Sequence, residues 1–184
     1  MRKLSMDELG RMSVADFKIA PKKPIVVVMD QIRSMHNVGS VFRTCDAFRV
    51  EKICLCGYTP RPPHRDINKT ALGATETVEW AGYEDGLTAV AQLKEQGYSV
   101  YTIEQVHNSI SLESFNYQSG EKIALVFGNE AEGVSEELIA AADGCIEIPQ
   151  FGSKHSFNIS VAAGIVLWEL FKSQAQQKII DIRN

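Results

Sequence analysis

Two kinds of apolar pattern alternate along the chain. Ile25 to Met29 (IVVVM), Lys52 to Gly57 (KICLCG), Tyr98 to Ile103 (YSVYTI), Lys122 to Phe127 (KIALVF) and Cys145 to Ile148 are short runs of strand length. Their near-continuous apolar character predicts strands buried on both faces, as in a parallel sheet. Between them, apolar positions recur at helical spacing: Val38, Val41, Phe42, Cys45 and Phe48 predict a helix from near Asn37, and Leu87 to Gln96 predicts another, closed by Gly97. Ser135 opens a short helix over SEELIAAAD, and a strongly apolar helix runs from Asn158 through Lys172, its pattern extending to Lys178. Thr77 to Trp80 predicts a short strand, and SLESF one helical turn. TPRPPHRDINKTALGA, with prolines crowded at its start, predicts a long loop. At the N-terminus, Ser5 and Glu8 fit a capping box, and Met6, Leu9, Met12 and Phe17 predict a short helix.

Strands alternating with helices imply an α/β domain over residues 25–178, with a mostly parallel sheet and helices on both faces. Residues 1–24 form a basic helical extension before it. Three strand-to-helix junctions carry the polar residues: Asn37 to Thr44, Gly128 to Gly133, and Gly152 to Asn158. Ligands of open α/β sheets gather at the C-terminal ends of the strands, where these junctions lie. The third junction is the most heavily loaded, with Ser153, Lys154, His155, Ser156, Asn158 and Ser160 crowding one helix entry. A helix needs one N-cap, so the surplus points to a binding site.

Composition narrows the chemistry. A chain of 184 residues, 45% hydrophobic and 23% charged, is an ordinary globular one with a sizeable core. A net charge of -4 argues against a wholly basic nucleic-acid coat. Residues 1–24 nevertheless hold six basic side chains against three acidic ones. The proline-rich segment adds Arg61, His64, Arg65 and Lys69, a phosphate contact or a solvated loop. The four cysteines and four histidines show no metal-ligand spacing, so no metal is expected and the thiols are read as reduced and cytoplasmic. No apolar run is long enough for a membrane span. A GxxxxGK[ST] loop, a GxGxxG fingerprint and a GxSxG elbow are all missing.

Asn37-x-Gly39-x-x-x-Arg43-Thr44, Phe127-Gly128-Asn129-Glu130-x-x-Gly133 and Ile148-Pro149-x-x-Gly152-x-x-x-Ser156-Phe157-Asn158-x-Ser160-Val161-Ala162-Ala163-Gly164 stand in this order on the three junctions. Together they resemble the motifs of the SpoU (TrmH-like) RNA ribose methyltransferases of the SPOUT superfamily. The resemblance implies S-adenosyl-L-methionine (AdoMet)-dependent methylation of a ribose 2'-OH, in tRNA first and rRNA second. It also implies a deep trefoil knot in the C-terminal half and a homodimer, with Val161 to Phe171 as the packing surface. A catalytically inactive RNA-binding protein of the same fold is the alternative. Gln150, where methionine is common in the family, and Phe157, where leucine is common, are departures that leave room for it.

Residue by residue, the resemblance implies a catalytic set of Arg43, Asn37, Glu130, Ser156 and Asn158. AdoMet would lie against backbone around Thr102, Gly128, Ile148 and Phe157. RNA would meet Arg61, Arg65, Lys69 and the N-terminal lysines. Arg43 matches the arginine proposed to take the ribose proton, yet a guanidinium stays charged at physiological pH. A fork gripping the neighbouring phosphate is its other role, and both stay open here. Asn37 is expected to orient Arg43 from one turn earlier on the same helix face. Ser156 and Asn158 would bind substrate or orient the arginine, and Glu130 would pair with a cation or bond near the cofactor. Gly128, Gly133, Gly152 and Gly164 are expected where the backbone approaches closely.

Overall fold

The computed structural model describes residues 2–5, 8–154 and 156–183, with side chains through residue 172. Seven strands form a single sheet: β1 (Lys23–Asp30), β2 (Val50–Cys56), β3 (Glu79–Tyr83), β4 (Ser99–Ile103), β5 (Ile110–Ser111), β6 (Ile123–Phe127) and β7 (Gly144–Glu147). Their order is β3-β2-β1-β6-β4-β7-β5, and every pairing is parallel. The helices are α1 (Val14–Ile19), α2 (Met35–Phe48), α3 (Arg65–Ala71), α4 (Ala74–Thr77), α5 (Gly86–Glu95), α6 (Glu136–Ala141) and α7 (Ile159–Arg183).

The continuous apolar runs are explained by this layering, because successive side chains of a strand point to opposite faces and both faces are covered. Ile25, Val27 and Met29 join Ile53, Leu55, Ile123 and Leu125 on the face packed by α2, α3 and α7. Val26 and Val28 join Cys54, Cys56, Ala124 and Val126 on the opposite face, under Ala89, Val90 and Leu93 of α5 and Leu138 of α6. Phe42 of α2 is wholly excluded from solvent, and burial of such a side chain contributes roughly 2–3 kcal/mol. All four cysteines are buried, and burial pushes the Cys54 thiol up to about 11 and those of Cys45 and Cys56 further.

Several sequence expectations shift. The proline-rich segment is not one long loop: Pro60, Pro62 and Pro63 precede α3, which His64 caps by accepting from the Asp66 amide at 3.1 Å. Ile67, Ala71 and Ala74 then enter the core at helical spacing, and their burial outweighs the irregular start. Residue 77 closes α4, and β3 begins at Glu79. The Ser5–Glu8 capping box forms, with the Ser5 amide donating to Glu8 at 2.7 Å and the Glu8 amide to the Ser5 hydroxyl at 3.3 Å. It closes only a turn, however, and the helix starts after Ser13, whose hydroxyl accepts from the Asp16 amide. Met6 and His155 lie outside the described residues. Phe17 of α1 reaches the core and fastens the extension to the domain.

This topology positions the functional loops. The chain builds β1, β2 and β3 outward in one direction, places β4 on the other side, and then inserts β6 between β1 and β4. The loops leaving β1 and β6 therefore emerge side by side at the C-terminal edge, where the strand order switches direction.

Candidate active site

A cleft of about 670 Å³ opens at this edge. Its walls come from the end of β4 (Ile103 to Val106), the loop after β6 (Phe127 to Val134), the segment after β7 (Ile148, Gln150, Ser156, Phe157) and the start of α7.

The loop after β6 folds back on itself: the Asn129 and Gly133 amides exchange bonds with each other's carbonyls at 2.9 Å. A Cβ on Gly128 would stand 2.2 Å from the Gly133 carbonyl oxygen, so only glycine permits the closure. Gly133 itself has φ +74. Gly152 and Gly164 lack positive φ, and a Cβ on either would meet nothing within 4 Å among the described residues. Asn129 ties the closed loop to its surroundings. Its Nδ2 donates to the Gln31 carbonyl and to the Tyr58 hydroxyl, both at 2.8 Å, and its Oδ1 accepts from the Ala131 amide at 2.8 Å and the Glu132 amide at 3.1 Å.

Glu130 reaches across to the loop after β1. Its carboxylate accepts from the Arg33 amide at 2.9 Å, the Ser34 amide at 3.0 Å and Asn37 Nδ2 at 2.9 Å. Burial alone would raise its pKa, but the donors from Arg33, Asn37 and Ser34 hold it below the ordinary carboxylate value. Asn37 Oδ1 in turn accepts from Asn158 Nδ2 at 3.1 Å. Asn158 caps α7, its Oδ1 accepting from the Ser160 amide at 2.9 Å. Three of the predicted residues, from all three junctions, thus form one continuous chain: Glu130, Asn37, Asn158.

The expected partnership of Asn37 with Arg43 does not form. Six residues along a helix is a rotation of about 240°, so the two side chains leave different faces of α2. Ser34, not Asn37, is the N-cap of α2. Arg43 is exposed, does not line the cleft, and its side chain has no hydrogen bond or ion pair among the described residues. Of the remaining predicted residues, Gly128, Ile148, Ser156 and Phe157 line the cleft, with Phe157 41% exposed. Thr102 lies one residue short of the wall, fully buried in β4. Arg61 donates to the Tyr83 carbonyl at 2.8 Å, Lys69 pairs with Asp66 at 2.6 Å, and Arg65 approaches Asp66 at 3.8 Å, all away from the cleft.

Sequence reasoning missed Glu104, Gln105, Glu132 and Glu136, which also line the cleft. The signal available for Glu104 was its place just past a buried strand of a parallel sheet. With Glu130, these acids give the cleft four carboxylates and no lysine or arginine among its described lining residues. Such a lining suits a ligand of positive charge with an apolar ring, for which Ile103, Val106, Phe127, Ile148 and Ile159 provide the surface. It opposes a phosphate-bearing dinucleotide.

The sequence matches the SpoU rRNA methylase family over residues 24–168. A relative in sequence is the tRNA (guanosine(18)-2'-O)-methyltransferase of Thermus thermophilus, 32% identical over 157 residues that span 85% of this chain and 79% of that protein. Among solved structures, the A. aeolicus TrmH/SpoU tRNA modifying enzyme superposes with a TM-score of 0.77 at 25% identity, covering 90% of this chain and 82% of that one. The AdoMet-bound rRNA methyltransferase from Sinorhizobium meliloti superposes with a TM-score of 0.76 at 26% identity, covering 85% of this chain and 59% of that one. A match over most of the chain, on the same parallel sheet and with the three motifs converging on one edge, establishes that this protein belongs to the SpoU rRNA methylase family.

Proposed function

We propose that the protein is an AdoMet-dependent RNA methyltransferase acting on a ribose 2'-OH, with tRNA as its substrate class. The observation that carries this reading is the acidic lining, without lysine or arginine among its described residues, of a cleft held by the Glu130–Asn37–Asn158 chain. AdoMet carries a sulfonium and an ammonium against one carboxylate, so its net charge is opposite to that of the cleft. The T. thermophilus relative named for tRNA supports tRNA, and the S. meliloti relative named for rRNA makes rRNA the second substrate class.

When bound, AdoMet supplies a methyl group on a positively charged sulfur. The chain's own part is to hold and orient. Gly128, Ile148 and Phe157, with backbone near Thr102, form the cofactor slot, and Ser156 faces the same space. Asn37, Glu130 and Asn158 fix the loops to one another. Arg43, charged and exposed, grips the phosphate beside the target ribose and brings its hydroxyl in line with the methyl group. Arg61, Arg65 and Lys69, together with the extension of residues 1–24, provide cationic surface for the rest of the RNA before the catalytic domain of residues 25–178.

The same reading includes a homodimer, a deep knot in the C-terminal half, and work in the cytoplasm. Val161 and Trp168, one above the other on α7 and each about half exposed, support the first, since apolar side chains on the outer face of this helix suit a partner subunit. Arg43 standing outside the cleft also fits a site completed across two subunits. The late insertion of β6 between β1 and β4 supports the second.

Incubation with methyl-labelled AdoMet and separately purified tRNA and rRNA tests the proposal. The expected product is label in alkali-resistant 2'-O-methyl dinucleotides from tRNA. Label appearing only in bases would refute ribose chemistry, and RNA binding without any AdoMet binding would instead identify an inactive RNA-binding member.

A further inference from the structure

The described lining residues of the cleft include four carboxylates, and three are accounted for. Glu130 already accepts from two amides and Asn37, which turn it toward the loop after β1. Glu132 faces outward toward Arg33, 3.8 Å away, and Glu136 belongs to the exposed first turn of α6. Glu104 is different. Its backbone is pinned in place, the amide donating to the Ile146 carbonyl at 3.1 Å and the carbonyl accepting from the Cys145 thiol at 3.2 Å. Its carboxylate has a constructed seat: Oε2 accepts from the Val134 amide at 3.1 Å, and a Cβ on Gly133 would stand 2.3 Å from that same oxygen. Oε1 accepts from the Gln105 amide at 2.9 Å. A carboxylate has about four acceptor positions, and the bonds to Val134 and Gln105 occupy one on each oxygen. Glu104 lines the cleft between the apolar Ile103 and Val106 and the closed loop after β6.

A half-buried, immobilised carboxylate with one open position on each oxygen is matched by two adjacent hydroxyl donors. We propose that Glu104 receives the vicinal 2'- and 3'-hydroxyls of the cofactor's own ribose, and so selects a ribonucleoside cofactor with its adenine over the apolar part of the cleft. The inference rests on the AdoMet reading and adds to it a residue and an atom-level role. Carboxylates recognise ribose diols in dinucleotide folds for the same reason, since a charged acceptor bonds a hydroxyl more strongly than a neutral one does.

Calorimetry with S-adenosylhomocysteine and its 2',3'-dideoxy analogue tests this on wild type, Glu104→Ala and Glu104→Gln. Wild type is expected to bind the full ribonucleoside at least about tenfold more tightly than the dideoxy analogue. In Glu104→Ala that ratio should fall to about one, with an intermediate ratio in Glu104→Gln, which keeps an oxygen for the Val134 amide. A purely structural Glu104, needed only to hold Val134, would weaken both ligands together and leave the ratio at its wild-type value. That result would overturn the proposal, as would a wild-type ratio near one. If Glu104→Ala fails to fold, the ratio in Glu104→Gln decides by the same criterion. Absence of wild-type binding to both AdoMet and S-adenosylhomocysteine would overturn the cofactor reading itself, whereas binding without ribose discrimination would overturn only the role of Glu104.

Discussion

The polar residues around the cleft are held in the opposite way to Arg43, Arg65 and Lys69 outside it. Asn37 bonds Glu130 across 93 residues of sequence, Asn158 bonds Asn37 across 121, and Asn129 bonds Tyr58 across 71. By contrast, Lys69 and Arg65 pair with Asp66, three residues and one residue away, and the Arg43 side chain has no hydrogen bond or ion pair among the described residues. Long-range bonds fix distances between loops, which a small ligand requires. Short-range surface pairs fix little and contribute little, but a polyanion drawn by charge needs no such precision. The cleft is thus cross-linked across distant parts of the chain, whereas Arg43, Arg65 and Lys69 are not.

The largest effect expected from this contrast is at Arg43. Arg43→Ala should reduce methyl transfer by about a hundredfold or more, as loss of a positioning clamp does, with melting temperature and AdoMet affinity unchanged. Single-turnover kinetics beside calorimetry would check it. A parallel loss of AdoMet affinity would break the division between the two regions.

Next come two glycines. Gly128→Ala forces the loop after β6 apart and should cost about 1–3 kcal/mol of stability, with weakened AdoMet binding. Gly152→Ala meets no atom among the described residues and should stay within about 0.5 kcal/mol of wild type. Urea denaturation of both variants measures the difference. Equal destabilisation would mean that the segment after β7 is held as tightly as the loop after β6.

A smaller loss than at Gly128 is expected at Glu130. Glu130→Gln places an amide where only donors point and should cost about 1–2 kcal/mol at neutral pH, moderated by solvent exposure. Because the folded-state pKa of Glu130 lies below its unfolded value, its stabilisation is fully present above about pH 4.3 and is lost as pH falls through the folded value. The stability difference between wild type and Glu130→Gln should therefore be flat above that pH and shrink below it. A difference independent of pH in acid would show that the charge of Glu130 is not what holds the loops together.

The sheet was largely legible from sequence because strands buried on both faces must be apolar throughout, and IVVVM or KIALVF fit little else. The three junctions were legible too, since their polar residues follow such strands. Two kinds of information were not. The proline-rich segment hid α3, although Ile67, Ala71 and Ala74 carry helical spacing, because local breakers and tertiary burial point in opposite directions there and burial wins. Partnerships were equally hidden: nothing local distinguishes Asn37 bonding to Glu130 from Asn37 orienting Arg43, and only the insertion of β6 beside β1 brings Glu130 within reach. Glu104 was overlooked because its only signal, a place just past a buried strand, does not set it apart until the loop it props is in place.

Asn129 carries a consequence for how motifs are interpreted. Both of its amide protons and its carbonyl oxygen are committed, in four directions at once. Aspartate has the same shape but would turn an acceptor toward the Gln31 carbonyl; glutamine has the same groups one carbon too far out; leucine has neither. Among the genetically encoded side chains, asparagine alone satisfies that valence count in that space. A chain that closes its loop this way must therefore spell the same letter whether or not it transfers a methyl group, and the identity of Asn129 is a signature of architecture.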